Sequence, residues 1–524
     1  MDTQKYHKIL VPTPDVYSLS GAEVFKHLER KDDNDKNLVV VPSQFIEEME
    51  IKTRSNSYSA GAEDVLRFLK ETIKKSTILK RTEEETTLVS EVFAGLDILF
   101  IQTKANKELS IESLESKINS DNRLQAKEKI LITNDPAKHI LYHGKGLKIE
   151  DPQFLQVKED IVNEGIIDGN DDLYEELQQK SSDGVQLDEA TELLDRQLYI
   201  NQFIRFRAQN SYQYARVTAQ LERNKSGSRI ISTKNEKVKL LSPQEYKKKI
   251  AISRHYMNDI LGIKPRDMEQ YIALEYGLMN KNVELFFLCG AQGSGKTLLA
   301  YVAAIDQILH YDKEIREKRG SAPDKKSGFF EKIVLLKPTE IFGGKRRDIG
   351  ALPGNLYQKL QPHLGSYLDA HRESSLSKLF PFEELLLHPK FENDFGGPRS
   401  ENLKELKIRG EAFLPNNTEA IEMTYSGHVR GRSFRNTLIL VDEAQNFTPY
   451  ELKTIIERTG EGCKIVLMGD PAQVDNPFCS REINGLTHAI KQYIDKPYSA
   501  LVTLTRNYRS QMSEDAKSWR VFSQ

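Results

Sequence analysis

With 524 residues the chain exceeds what one hydrophobic core can organise, and two to four domains are expected at roughly 150 residues each. Its 75 Lys and Arg nearly balance its 77 Asp and Glu, which excludes a globally basic surface and leaves local basic patches for gripping a nucleic acid. Cys289, Cys463 and Cys479 lack C-x-x-C spacing, so neither a zinc site nor a disulfide framework is indicated; the apolar runs are too short to span a bilayer, residues 1–6 lack the apolar segment of a signal peptide, and a cytoplasmic protein is expected.

Residues 1–152 alternate short apolar runs with amphipathic ones. Strands are predicted at 8–11, 38–41, 98–101 and 129–133 and a helix at 60–75, the pattern of a small α/β domain with a parallel sheet. Residues 153–242 open on an acidic run (Asp168, Asp171, Asp172, Glu175, Glu176) that reads as a solvated linker. β-like runs follow at 197–206 and 213–221, with a turn at 224–228, giving a linker plus a small β module. Residues 243–524 settle into a larger α/β pattern with buried strands at 285–289, 332–336, 437–441, 464–468 and 500–504. Polar insertions at 314–327 and 389–404 read as surface loops.

Gly290-Ala291-Gln292-Gly293-Ser294-Gly295-Lys296-Thr297 has the spacing G-x-x-x-x-G-K-[ST], between an apolar strand and an apolar helix at 298–309. The chemistry requires that order. Glycines let the backbone curl until its N–H groups surround phosphates, and the helix N-terminus adds partial positive charge. Lys296 is then placed for the β- and γ-phosphates of ATP, and Thr297 for Mg²⁺. Further on, four apolar residues at 438–441 lead into Asp442-Glu443 at the carboxyl edge of a central strand, where α/β sheets bind ligands. Asp442 is the candidate for Mg²⁺, and Glu443 for the group that orients or deprotonates the attacking water. The strand at 464–468 ends in Gly469-Asp470-Pro471-Ala472-Gln473, where Gln473 is a candidate sensor of the γ-phosphate.

Together these stretches resemble the PhoH-like ATPases. The likeness rests on Asp442-Glu443-Ala444-Gln445-Asn446, on Gly469-Asp470-Pro471-Ala472-Gln473-Val474-Asp475 and on Arg430-Gly431-Arg432-Ser433. Lys337-Pro338 and Gly350-Ala351-Leu352-Pro353-Gly354-Asn355, followed by Lys359, Pro362 and Asp369, add to it, and most of residues 264–510 is covered. The resemblance implies a RecA-like core related to superfamily-one helicases, acting on RNA, and a glutamine, Gln270 after Pro265-Arg266, that reads adenine. Two departures are Lys337 where arginine is usual and Gln292-Gly293-Ser294 where the loop is often Ala-Gly-Thr; neither removes a catalytic group. Lys345-Arg346-Arg347, Arg430, Arg432 and Arg435 are candidate RNA contacts, although solvated loops carry such groups too. The family also points to assembly of copies, a hexameric ring being expected because one P-loop core has one cleft. Arg509 and Arg432 are the candidate transition-state arginines, reaching either a neighbour's ATP or their own.

A PhoH-like core behind a small α/β domain suggests the fused form that begins with a PIN domain, a metal-dependent ribonuclease fold. Glu48, Asp121 and Asp135 fall where that family's carboxylates gather around Mg²⁺ or Mn²⁺. The first motif departs: Val11-Pro12-Thr13-Pro14-Asp15 puts Thr13 where an aspartate is expected, with Asp15 two residues on. Asp135 before Pro136 is also a good helix N-cap, and Asp121 another. A degenerate nuclease is therefore expected. The fold class is α/β: a RecA-like P-loop core with a parallel sheet, preceded by a PIN-like domain and a β-containing linker module. The leading function is ATP-driven movement or unwinding of RNA, with a PIN-like domain that binds or weakly cleaves RNA. The alternatives are an ATP-dependent switch or scaffold with a dead PIN-like domain, and a small-molecule kinase, which Asp442-Glu443 with residues 469–473 argues against.

Overall fold

The computed structural model describes residues 5–31, 35–54, 60–82, 85–103, 111–120, 124–144, 146–180, 183–208, 211–225, 229–241, 260–309, 330, 332–338, 341–342, 345–346, 356–378, 382, 421–425, 429, 431–509, 512 and 515. Asp121, Arg347, Arg430, residues 350–355 and both expected insertions lie outside them.

The first sheet joins β1 (Lys5–Pro12), β2 (Asn37–Pro42), β3 (Thr77–Arg81), β4 (Glu85–Phe93), β5 (Leu96–Thr103), β6 (Gln125–Ile132) and β7 (Lys148–Glu150), in the order β3-β4-β5-β2-β1-β6-β7. From β5 to β7 it is parallel, as the strand–helix alternation implies; β3 and β4 extend it as an antiparallel hairpin. β2 is buried throughout, because Leu38-Val39-Val40-Val41 offers apolar side chains to both faces and helices cover both. On one face lie α1 (Pro14–Ser20), α2 (Val24–Leu28), α3 (Ser43–Arg54) and α4 (Ala60–Ile73); on the other, α5 (Ile111–Ser120). α6 (Pro136–Tyr142) follows β6 and has no buried residue.

In the middle module β8 (Ile166–Asp168), β9 (Val185–Gln186), β10 (Phe203–Ala208), β11 (Ser211–Arg223) and β12 (Ile230–Leu240) pair in the order β8-β10-β11-β12-β9. The acidic run expected as a linker is instead α7 (Asp171–Lys180). Asp171 and Asp172 in its first turn complement the helix dipole, and Leu173 and Leu177, one turn apart, are buried against the sheet with α8 (Leu187–Leu194).

The third body begins with α9 (Met268–Ile272), which continues as a π-helical turn, Ala273–Leu278. Its sheet holds β13 (Leu285–Gly290), β14 (Lys332–Lys337), β17 (Ile421–Tyr425), β18 (Thr437–Val441), β19 (Lys464–Gly469) and β20 (Ser499–Leu504), all parallel, in the order β17-β14-β18-β19-β13-β20. β17 is a sixth strand beyond the five expected. A short ribbon, β15 (Ile341–Phe342) with β16 (Lys345–Arg346), sits outside the sheet. The helices are α10 (Lys296–Leu309), α11 (Leu356–Glu373), α12 (Pro449–Ile456) and α13 (Gly485–Tyr493). β13 and β18 are each adjacent to β19, which sets their carboxyl ends about 10 Å apart.

The three bodies are docked. Phe478 and Ile483 join the core of the first domain, Val157 N–H donates to Glu482 O (2.9 Å), and Lys453 pairs with Glu23 (2.5 Å). Asn201 of the middle module donates to Ser499 O of edge strand β20 (2.8 Å). Among the described residues no helix is long and apolar enough to cross a membrane.

Candidate nucleotide-binding site

β13 ends at Gly290, and the loop to α10 turns through positive φ at Gly290 (142°), Gly293 (85°) and Gly295 (95°), the backbone freedom a tight phosphate loop needs. At Gly293 glycine is also needed for space: a Cβ there would meet Asn507 Oδ1 at 2.4 Å and Arg509 Cγ at 3.0 Å. Lys296 Nζ donates to Gly290 O (2.5 Å) and Ala291 O (3.1 Å). Burial lowers its pKa, opposed by Glu443, Asp442 and Asp470. The Ser294 hydroxyl is buried with no partner among the described residues, inside a loop of donors. Thr297 lies in the first turn of α10, beside Lys296. Ala291 and Gln292 complete the rim, Gln292 exposed. These residues fit a nucleotide phosphate chain with its Mg²⁺: an orphaned hydroxyl, a glycine-turned loop, one lysine and a threonine at a helix start.

Across β19, β18 delivers the two acids. Asp442 is 5% exposed and pairs with Lys337 at 3.3 Å, so the lysine that replaces the usual arginine still meets the acid. Glu443 adopts left-handed backbone (φ 53°), which turns its side chain off the strand line. Its carboxylate accepts from Gln445 Nε2 (2.6 Å); burial and then Asp442 push its pKa up, against Gln445, Lys296 and Lys337. Gln445 is fully buried and also donates to Gln473 O (2.9 Å) while accepting from Asp470 N–H (3.1 Å). Gln473 Nε2 donates to Asp470 Oδ2 (2.9 Å), and Asn446 Oδ1 accepts from Asp475 N–H (2.8 Å). One hydrogen-bonded unit thus joins the ends of β18 and β19. Sequence reasoning quoted Gln445 and Asn446 without giving them this role.

Gln270 lies against the loop with both ends of its amide engaged: Nε2 donates to Ser294 O (3.0 Å) and Oε1 accepts from Arg266 N–H (2.9 Å). Arg509 is beside its own phosphate loop, where Tyr508 N–H donates to Gly293 O (3.0 Å). Arg432 is not brought to the site. Its guanidinium forks onto Glu422, which also holds Lys332 (2.7 Å), both near the amino-terminal ends of β17 and β14 and so at the edge opposite the acids. Arg435 is exposed.

Among the described residues the N-terminal acids Glu48 and Asp135 are not gathered around Asp15 as a metal cluster. Thr13 and Asp15 are buried where β1 runs into α1. The Asp15 carboxylate accepts from the Thr13 hydroxyl, from Asn134 N–H (2.7 Å) and from Thr133 Oγ1 (3.2 Å), and it pairs with Lys138 Nζ of α6 at 3.1 Å. Burial pushes this carboxyl up, but Lys138, Thr13 and Asn134 outweigh it and hold it below the ordinary value. Asp135 accepts from Ala137 N–H (2.9 Å) as the N-cap of α6, with Pro136 at the first helical position. Glu48 is half-buried on α3, and among the described residues no three acids, histidines or cysteines gather to hold a metal. Among the described residues, an internal ammonium, Lys138, already neutralises the buried Asp15 carboxylate, and Asp121, the third expected acid, lies outside them. Lys138 carried no sequence signal.

A glycine-rich loop feeding a helix, with paired acids one strand away on an all-parallel sheet, defines the C-terminal part as a P-loop nucleotide-binding domain. Comparison with known proteins narrows the class. Residues 321–517 match the family described as PhoH-like protein. Protein PhoH2 of Bacillus subtilis (strain 168) is 27% identical over 490 residues, 92% of this chain and 94% of that protein. Protein PhoH2 of Mycolicibacterium smegmatis is 28% identical over 252 residues, 48% of this chain and 46% of that protein. A PhoH-like protein of Synechocystis is 30% identical over 194 residues, covering 37% of this chain and 43% of its own. The chain carries a PhoH family domain in its C-terminal part, preceded by an α/β extension.

Proposed function

We propose that the PhoH-like domain hydrolyses ATP and couples hydrolysis to the unwinding or remodelling of RNA. The observation that supports hydrolysis is Glu443, held by Gln445 in a left-handed turn at the strand end, with its pKa raised towards that of a working base. On this reading Lys296 leaves the loop carbonyls for the phosphates, the loop N–H groups bind them, and Glu443 takes a proton from water. Mg²⁺, when bound, supplies charge neutralisation at the phosphates, and Thr297 and Asp442 are the residues that would hold it. Gln473, tied to Gln445 and Asp470, is positioned to report a change at the acids. Gln270 supports the rim that would bind adenine. RNA is the partner we assign, and the cytoplasm the compartment. A homo-oligomeric ring, a hexamer, is part of the proposal, because it would close a cleft that one core leaves open.

A second reading is favoured by one observation. Lys138 neutralises the buried Asp15 carboxylate among the described residues, which supports a reading in which this domain serves as a docked platform and ATP works a switch. The deciding experiment measures ATPase rate with and without single-stranded RNA, alongside displacement of a labelled RNA strand. RNA-stimulated turnover with displacement supports the first reading. Slow turnover indifferent to RNA overturns it in favour of the switch.

A further inference from the structure

Paired residues in a sheet share a face, so the register of β10, β11 and β12 sorts the middle module's side chains. One face carries Ile204, Ala215, Val217 and Val238 and is its core. The opposite face pairs Phe203 with Arg216, Arg205 with Tyr214, Arg207 with Tyr212 and Arg216 with Lys239. An ordinary solvated face mixes charges of both signs. Here the cations Arg205, Arg207, Arg216, Lys237 and Lys239 gather towards one end, where Asp168 bonds Arg205 at 2.7 Å, while Glu222 further along β11 is taken by Lys234. Arg207, Lys237 and Lys239 have no carboxylate partner among the described residues. Tyr212 is 50% exposed, with the Arg205 guanidinium 5.1 Å from its ring centre, which fixes one side of the ring and leaves the rest to solvent.

The same face continues inward onto the P-loop domain. Phe203 and Tyr214 enter its core, and the Arg216 guanidinium lies 4.8 Å from the Tyr276 ring. Tyr276 belongs to the helical turn that continues α9, and α9 carries Gln270, whose amide holds Ser294 of the phosphate loop. A strand of nucleic acid lying on Tyr212 would therefore bear on the element that supports the nucleotide.

We infer that the exposed corner of the β10–β11 face is a single-stranded RNA-binding surface, on which Tyr212, backed by the Asp168-bonded Arg205, stacks a base while Arg207 neutralises a phosphate. Interleaved aromatic and cationic side chains on an open sheet suit unpaired bases, whose rings are accessible, and no base-edge readout is required. The inference rests on the RNA reading proposed above and adds the surface that does the binding.

The test uses the full-length chain and a fluorescein-labelled oligouridylate of 12 nucleotides, with binding followed by anisotropy across a potassium chloride series. Tyr212→Ala is expected to weaken binding about tenfold with an unchanged salt slope, and Tyr212→Phe to bind like the parent. Arg207→Ala is expected to reduce the slope of log affinity against log salt by about 0.7. Basal ATPase and thermal melting should match the parent in all three variants, because none of these side chains touches the nucleotide loop. Parent protein that binds the oligonucleotide, with variants that bind it equally well, overturns this surface and leaves the RNA reading standing. Equal losses in Tyr212→Ala and Tyr212→Phe overturn stacking, and tighter binding of a duplex overturns the single-strand assignment. A parent that binds no RNA overturns the functional reading along with the surface.

Discussion

Glu443 shows how much the site depends on single side chains. Its left-handed backbone aims the carboxylate, Gln445 fixes it, and burial with Asp442 raises its pKa. A base must be ionised to act, so the acid limb of kcat/KM for ATP should fall at higher pH than an ordinary glutamate gives. Gln445→Leu removes a donor that favours the charged form and should move that limb further upward, as a pH profile would record. Glu443→Gln keeps size but loses the proton acceptor; it should retain nucleotide binding and lose hydrolysis, and Lys296→Ala should cost about 100-fold or more in turnover. Near-normal turnover in either purified variant would refute the assignment. At Asp15 the sign runs the other way. Its lowered pKa contributes stability above the ordinary carboxylate range, and that stability is lost as pH falls through the folded value. Lys138→Met leaves the carboxylate buried without a counter-charge, held only by Thr13, Thr133 and Asn134, at a cost of about 3 kcal/mol near neutrality. The pKa of Asp15 then rises, so the variant should lose less stability than the parent on acidification, a trend that melting curves at two pH values would reveal.

Between residues and domains stand the elements that carry strain and docking. Gly21, directly after α1, has φ 63° and ψ −160°, a region other residues avoid, and a Cβ there would lie 2.5 Å from the Tyr450 ring of α12. Gly21→Ala should loosen the N-terminal domain from α12 and split a joint melting transition into two, which calorimetry can test. α12 itself was open to prediction, since Thr448-Pro449 and Glu451 form a capping box with proline at the first helical position. The parallel strands and the phosphate loop were equally legible, because apolar runs ending in glycines or acids carry their own geometry. Other elements were not. The acidic run at 171–176 reads as linker until Leu173 and Leu177 are seen to share one buried side. β3 is exposed along its length and offers no apolar pattern, and β17 has only five residues beside a long polar stretch. Pairings between distant residues, such as Asp15 with Lys138 and Arg432 with Glu422, leave no trace in local spacing.

At the scale of the whole molecule, the question is whether one copy of the chain completes its own nucleotide site. Expectation placed Arg509 either in its own cleft or in a neighbour's. The geometry favours its own: the stem of Arg509 and the side-chain oxygen of Asn507 crowd the space at Gly293, and Tyr508 N–H bonds the loop's carbonyl at 3.0 Å. Tyr508 Oη bonds Asp267, and Thr505 N–H bonds Glu269 (2.7 Å), so the segment after β20 is strapped to α9 and its cap within one subunit. On the proposed function, an arginine anchored this way would act on the nucleotide of its own chain even inside a ring, pairing two phosphate oxygens as charge develops. Arg509→Ala should then lower turnover about 100-fold. When Arg509→Ala subunits are mixed with Lys296→Ala subunits, each copy lacks one essential group of its own cleft, and no mixing ratio should restore ATPase. Light scattering on the same mixtures establishes whether rings have formed, so that absence of rescue is read only from assembled protein. Recovery of activity in mixed rings would place the acting arginine across a subunit boundary, against the arrangement of residues 505–509 around the phosphate loop.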